Sequence, residues 1–261
     1  TRIFKPDEYG IITELYAYII VLQVLLTYGM ETGYFRFSRD EKRKGLIYSI
    51  VQTSVLFTSV LFIIVTFLLG KSIANVLGYE NKVILIFAVG LIVSMDAFSA
   101  IPFAKLRMEG KAMKFAIIKI INVVITLILV FGFLSFFPAY CLKNTNSILC
   151  ALYVPEYKVE YVFIANIVAS FFVLIMLFKE IYESELRFDI KIFTELLKFS
   201  LPVLIAGIGG SLTDAMDRIL LKHLIKDGSD AMYQLGIYGA NIKLSVIMML
   251  FVQMFRYAAE P

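Results

Sequence analysis

Charged side chains inside apolar runs are the residues of this chain whose types and spacing could do chemistry. Asp96 and Lys119 stand on two consecutive apolar stretches. Each lies within roughly 6 to 12 Å of the same end, at ~1.5 Å per residue, so an Asp96–Lys119 pair is geometrically open. Lys119, Asn122 and Thr126 form an i, i+3, i+7 stripe, a face expected against protein or water rather than lipid. Structural pairing and cavity lining both fit. Asp214, Asp217 and Arg218 follow a run of Gly207, Gly209, Gly210 and Ser211; Asp214 can reach Arg218 at i, i+4. Asp214 is the deeper acid, suited to handling a coupling Na+ or proton. Asp217 and Arg218 also fit simple interfacial placement. Glu14 lies five residues after Tyr9, and Lys243 lies five residues after Tyr238. That correspondence predicts a Glu14–Lys243 gate between two related helices; independent snorkelling of both side chains to the interface is the alternative. Arg36, Arg107 and Arg256 sit near helix ends, where forked guanidinium donors suit phosphate oxygens and where topology alone also places arginine.

Seven apolar stretches position these groups: roughly Tyr9 to Tyr28, Ile47 to Leu69, Val83 to Ala104, Phe115 to Phe137, Tyr161 to Phe178, Phe199 to Leu221 and Gly236 to Phe255. Each is long enough to cross ~30 Å of hydrocarbon as a helix. The composition agrees: 60% of residues are hydrophobic and 18% charged, with a mean hydropathy of +0.82. A soluble domain would carry about 25% charge. The fold class is therefore an all-α polytopic membrane protein.

Lys plus Arg before the first stretch and in the six loops between stretches alternates without a break. The first loop carries Arg36, Arg39, Lys42, Arg43 and Lys44, against Lys71 and Lys82 in the second. The positive-inside rule makes the odd-numbered loops cytoplasmic and puts Thr1 outside. The net charge of +4 is thus a topology signal, and nucleic acid is not an expected partner. Cys141 and Cys150 share the fourth loop, on the outer face of this topology. A disulfide there is chemically reasonable, and two unrelated thiols fit as well. No Cys/His cluster supports a metal site, and His223 is the sole histidine.

The chain reads as a piece of a longer protein, with five membrane helices in residues 1–178, a cytoplasmic linker in 179–198 and two more helices in 199–261. Ile190, Phe193, Leu196 and Leu197 fall at near-helical spacing in the linker, predicting an interfacial amphipathic helix. Pro202 is expected in the first turn of the following membrane helix. Tyr9-Gly10 and Tyr238-Gly239, each with arginine downstream at Arg36 and Arg256, suggest a faint internal repeat.

Several of these positions carry a family resemblance. Arg2, Pro6, Tyr9 and Gly10, then Gly29, Gly33 and Arg36, resemble the opening of the polysaccharide-biosynthesis flippases of the multidrug/oligosaccharidyl-lipid/polysaccharide exporter superfamily. Ile101 to Arg107, Phe199-Ser200-Leu201-Pro202, Asp217-Arg218, Tyr238-Gly239 and the closing Phe255 to Pro261 are similar to that family in the same order. The resemblance implies a two-bundle transporter of twelve to fourteen helices, of which this chain covers helices two to eight. It implies flipping of undecaprenyl-diphosphate-linked oligosaccharides across the bacterial inner membrane by alternating access, beside other polysaccharide-assembly membrane proteins. The stretches from Tyr9, Phe199 and Gly236 would line the central cavity, with Arg36, Arg256 and Arg107 at the headgroup. No nucleophile–base pair or Gly-rich phosphate loop in the sequence suggests an enzyme. The rivals are a cation-coupled multidrug and toxin extrusion antiporter, and a membrane glycosyltransferase or O-antigen polymerase. The second needs Asp, Arg or His in a large outer loop, and Pro138 to Glu160 has none.

Overall fold

A computed structural model describes residues 3–39, 43–143, 150, 153–183, 187–225 and 228–259. Arg2, Lys42, Glu260 and Pro261, singled out in the sequence, lie outside the described residues. The helices are α1 (Pro6–Thr27), α2 (Met30–Phe37), α3 (Lys44–Leu77), α4 (Val83–Met108), α5 (Ala112–Phe131), α6 (Phe137–Lys143), α7 (Lys158–Met176), α8 (Phe178–Tyr182), α9 (Ile190–Leu224) and α10 (Gly228–Ala259). No strand occurs among the described residues. A π-helical turn, Gly132–Phe136, joins α5 to α6, so the fourth apolar stretch runs as one span from Ala112 to Cys141.

Six spans among the described residues are long and apolar enough to cross a membrane, and α10 carries the seventh stretch. The side-chain surface says the same. Phe67 and Leu68 on α3 are 73% and 74% exposed, and Ile118 is the only buried residue of α5. On helices of membrane-spanning length, apolar faces this extensive suit contact with lipid. The chain is an all-α, multi-pass membrane protein.

Two features differ from the sequence expectation. In the 179–198 linker, residues 179–182 belong to the short α8, and Ile190, Phe193, Leu196 and Leu197, read as a separate interfacial helix, open α9, which continues through Lys198 and Phe199 to Leu224. Pro202 therefore lies inside a 35-residue helix, not in a first turn. A proline there removes one N–H and frees the carbonyl of Lys198, which bends or weakens a helix without necessarily ending it.

The chain divides into two compact units, residues 1–18 with 213–261, and residues 19–212. In the larger unit, α2, α3, α4 and α9 pack around Met30, Tyr34, Ile50, Val51, Ile101 and Leu196. A second cluster, Phe103, Leu106, Ile118, Val173 and Leu177, joins α4, α5 and α7. Lipid is as apolar as these cores, so close packing rather than water exclusion holds the helices together. Gly29 and Gly33 illustrate this. A Cβ on Gly29 would stand 2.6 Å from the Ser200 carbonyl oxygen, and one on Gly33 2.7 Å from Ser200 Oγ. Gly29, just before α2, thus lets the α9 backbone approach directly, and Gly33 one turn on makes room for the Ser200 side chain. Gly29 also has φ 70°, a left-handed conformation that closes the α1–α2 break.

Three polar contacts fasten the short α8 to the same unit. Lys105 Nζ pairs with Glu183 Oε2 at 2.6 Å, and Lys114 Nζ with Glu180 Oε1 at 2.6 Å. The Tyr48 hydroxyl donates to the Glu180 carbonyl at 2.8 Å. The lysine hydrogen bond holds the Glu183 carboxyl below its usual range.

In the smaller unit, α1 and α10 cross through glycine. A Cβ on Gly10 would collide with the Met232 carbonyl, one on Gly236 with the Pro6 carbonyl, and one on Gly239 with Thr13. Small residues at this crossing bring the two backbones into direct contact.

Candidate functional site

One helical face of α4 carries Asp96, Ser99, Ala100, Phe103 and Arg107, at steps of three and four residues that stack them on one side. This face borders a cavity of about 480 Å³ within the larger unit. Phe115, Lys119 and Asn122 of α5 form the facing wall, again at i, i+4, i+7. Ile19, Ile20 and Gln23 of α1, Glu31 of α2 and Val173 of α7 complete the lining. Four ionisable groups share the cavity: Glu31, Asp96, Arg107 and Lys119. They include two potential anions and two cations in a membrane-spanning unit, where an ionised side chain needs a partner or water.

The partners differ from the simplest pairing. Ser170 Oγ donates to Asp96 Oδ1 at 2.7 Å, while Lys119 Nζ sits 4.3 Å from the centroid of the Phe103 ring. No direct Asp96–Lys119 ion pair forms, although both line one cavity. Arg107 pairs with Glu31 and lies over the rings of Phe35 and Phe115, at 5.2 and 5.5 Å. Gln23 Oε1 is buried without a protein hydrogen-bond partner. The cavity therefore offers an ammonium held by an aromatic face, a carboxylate held by a single hydroxyl, and side-chain amides from Gln23 and Asn122. Such a set can engage hydroxyls and anionic oxygens together.

The remaining sequence candidates lie elsewhere. Arg36 is exposed at the end of α2, its guanidinium carbon 4.5 Å from the Phe199 ring centroid. Arg256 is part of α10, and its side chain lies outside the described ones. The expected Asp214–Arg218 pair is not made. Arg218 instead donates its backbone N–H to Asp217 Oδ1 at 2.8 Å, with its Nε 4.0 Å from the same oxygen. Asp217 Oδ2 also accepts the Tyr238 hydroxyl at 2.6 Å, and Asp214 is exposed.

The expected Glu14–Lys243 pair is also replaced. Glu14 Oε1 accepts from Lys222 Nζ at 2.8 Å, and the Tyr18 hydroxyl lies against the same carboxylate. Lys243 Nζ lies 5.0 Å from the Tyr9 ring centroid. Equivalent sequence offsets placed Glu14 and Lys243 near the same end; helix rotation assigned them different partners. Cys141 and Cys150 are joined as a disulfide, with Cα atoms 5.5 Å apart.

Glu31, Gln23 and Ser99 were not singled out in the sequence. Ser99 and Arg107 share the Asp96 face by periodicity, which was readable. Gln23 and Glu31 enter only because α1 and α2 fold against that face, and nothing local signals it.

Fold and cavity together define a multi-pass helical membrane protein with a charged internal site. The chain belongs to the family of polysaccharide biosynthesis proteins, whose sequence profile matches residues 1–255. No curated protein and no solved structure matches it.

Proposed function

We propose that the protein is a flippase moving lipid-linked oligosaccharides across the bacterial inner membrane for surface polysaccharide assembly. The observation that carries this reading is a cavity holding Asp96 and Lys119 inside lipid-facing helices of a polysaccharide-biosynthesis family member. A diphosphate-linked glycan combines anionic oxygens with many hydroxyls, and the cavity's cations, carboxylate and amides address both. Transport proceeds by alternating access, with undecaprenyl diphosphate as the carrier lipid and Na+ or H+ as the coupling ion. The protein works as a transporter rather than an enzyme, beside other polysaccharide-assembly membrane proteins.

The orientation rests on the alternation of Lys and Arg between apolar stretches. Single cysteines at the exposed Arg39 and Tyr157, in a background lacking Cys141 and Cys150, are expected to label oppositely with an impermeant thiol reagent. Equal labelling of intact cells overturns it.

Proteoliposomes containing the full chain test the activity. A lipid-linked oligosaccharide in the inner leaflet should become accessible to an external glycosidase, and Lys119→Ala should slow this at unchanged protein level. Export of a cationic dye with a stationary lipid-linked oligosaccharide would assign the protein to the multidrug antiporters instead. Elongation of the glycan would assign it to the polymerases.

A further inference from the structure

Two acids and two bases line the charged cavity, and they behave differently. Glu31 and Arg107 meet and cancel each other's charge. Asp96 and Lys119 face the same space, and the Lys119 charge is near enough to act on the Asp96 carboxylate. Both are nevertheless turned to other partners. Distance does not explain this. Counted from Gly110 in the turn between α4 and α5, Phe103 lies seven residues back, Asp96 fourteen back and Lys119 nine residues on. Lys119 thus leaves α5 at a level between them, about 3 Å from that of Phe103 and about 8 Å from that of Asp96, at 1.5 Å per residue. Its flexible four-carbon stem suits either interval. An ammonium and a carboxylate within such reach at membrane depth are expected to pair.

What holds them apart is a pair of neutral, buried side chains. Ser170 on α7 is 5% exposed, and its hydroxyl donates to Asp96 Oδ1 at 2.7 Å. Phe103 on α4 is 3% exposed. Its ring stands edge-on to Phe115, with centroids 5.4 Å apart, and packs with Leu106, Ile118 and Val173. That packing fixes the ring so that one face meets Lys119 Nζ, 4.3 Å from the centroid. Attraction between a cation and a ring face strengthens where water is excluded. A hydroxyl and a ring hold a charge in place without cancelling it, as Arg107 does for Glu31.

We propose that Ser170 and Phe103 are positioning residues that keep Asp96 and Lys119 apart, so that both charges stay open to substrate. The inference rests on the flippase reading above. A closed Asp96–Lys119 pair would have to be broken before phosphate oxygens reached the ammonium or sugar hydroxyls reached the carboxylate. Charges already parked on neutral partners spare the site that rearrangement, which is preorganisation.

A double-mutant cycle on the detergent-solubilised full chain tests it, with melting temperature as the readout. In the wild type, the shifts caused by Asp96→Asn and Lys119→Met should nearly add. With Ser170→Ala and Phe103→Leu in place, carboxylate and ammonium lose their partners and meet, and the two shifts should depart clearly from additivity. Coupling as strong in the wild type as in that background overturns the proposal. Should Phe103→Leu prevent folding, Ser170→Ala alone supplies the background, and the same comparison decides. Flipping of a lipid-linked oligosaccharide in proteoliposomes reads the consequence. Ser170→Ala with Phe103→Leu should slow it about tenfold, and Phe103→Tyr, which keeps a ring face, should retain more activity than Phe103→Leu. Undiminished flipping in a background whose charges have become coupled overturns the positioning role. Absence of flipping by the wild type, with the expected coupling pattern, overturns the transport reading alone.

Discussion

Glu14 is fully buried, and its carboxylate meets Lys222 Nζ at 2.8 Å although 208 residues separate the two in sequence. Lys222 is 16% exposed, so the pair is shielded from most solvent. Removing one member of a shielded pair costs more than removing both, because the survivor keeps its desolvation penalty. Lys222→Met is expected to destabilise the folded protein by about 3 kcal/mol. Glu14→Gln combined with Lys222→Met should recover most of that loss. Lys243→Met, which removes a contact to Tyr9, should cost within about 1 kcal/mol. Denaturant unfolding of the purified variants reads all three. An effect of Lys243→Met equal to that of Lys222→Met would restore the Glu14–Lys243 pairing suggested by the Tyr-Gly alignment.

Glycine substitutions separate close packing from helix propensity. Gly236→Ala drives a methyl into the Pro6 carbonyl, whereas Gly45 in α3 has nothing within 4 Å of an added Cβ. Gly236→Ala should lower stability by about 2 kcal/mol or more, in the range of overpacked contacts. Gly45→Ala should raise it by about 0.5 kcal/mol through helix propensity. Comparable melting temperatures for the two variants would argue against a backbone-to-backbone crossing.

Charge in the cavity is separable from shape. Asp96→Asn keeps an acceptor for the Ser170 hydroxyl but removes the negative charge, so protein level should hold while transport falls about tenfold. Lys119→Arg keeps the charge over Phe103 and should retain more activity than Lys119→Met. Wild-type transport by both Asp96→Asn and Lys119→Met would remove these groups from the mechanism.

The attachment of α8 has a defined pH sign. The Glu183 carboxyl is held below its ordinary 4.5 by Lys105. The linked stabilisation is therefore present above that value and is lost as pH falls through the lowered folded-state value. Amide exchange of residues 178–182 should be slow at pH 7 and accelerate as the pH falls below 4.5 and through the lowered folded-state value, after correction for intrinsic rates. Glu183→Gln should flatten that response. Exchange with the same pH profile in both proteins would show that the lysine contact does not hold α8.

The seven apolar stretches were legible because lipid demands internally satisfied backbone over a fixed thickness, and that demand writes itself into composition. The face of Lys119 and Asn122 was legible for a similar reason, through the helical period, and both line the cavity. Partner choice was not. Glu14 could be assigned a depth from its distance to Tyr9, but whether Lys222 or Lys243 reaches it depends on how α1, α9 and α10 rotate about their axes. The reach of α9 was hidden differently. Charges at Lys179, Glu180 and Glu183 read as a surface loop, while Lys198-Phe199-Ser200-Leu201 contains nothing that stops a helix. The proline at 202 then looked like a beginning.

The crossing of α1 and α10 through Gly10 and Gly236 has a mechanical consequence. Ordinary helix pairs mesh like gear teeth, since side chains of one fill the hollows of the other. Motion between them then requires many side chains to leave their rotamer wells together. Two backbones meeting at bare glycine have no teeth to disengage at that point. The contact works as a smooth bearing: it sets the distance between the helices closely while presenting a low barrier to rotation or sliding along them.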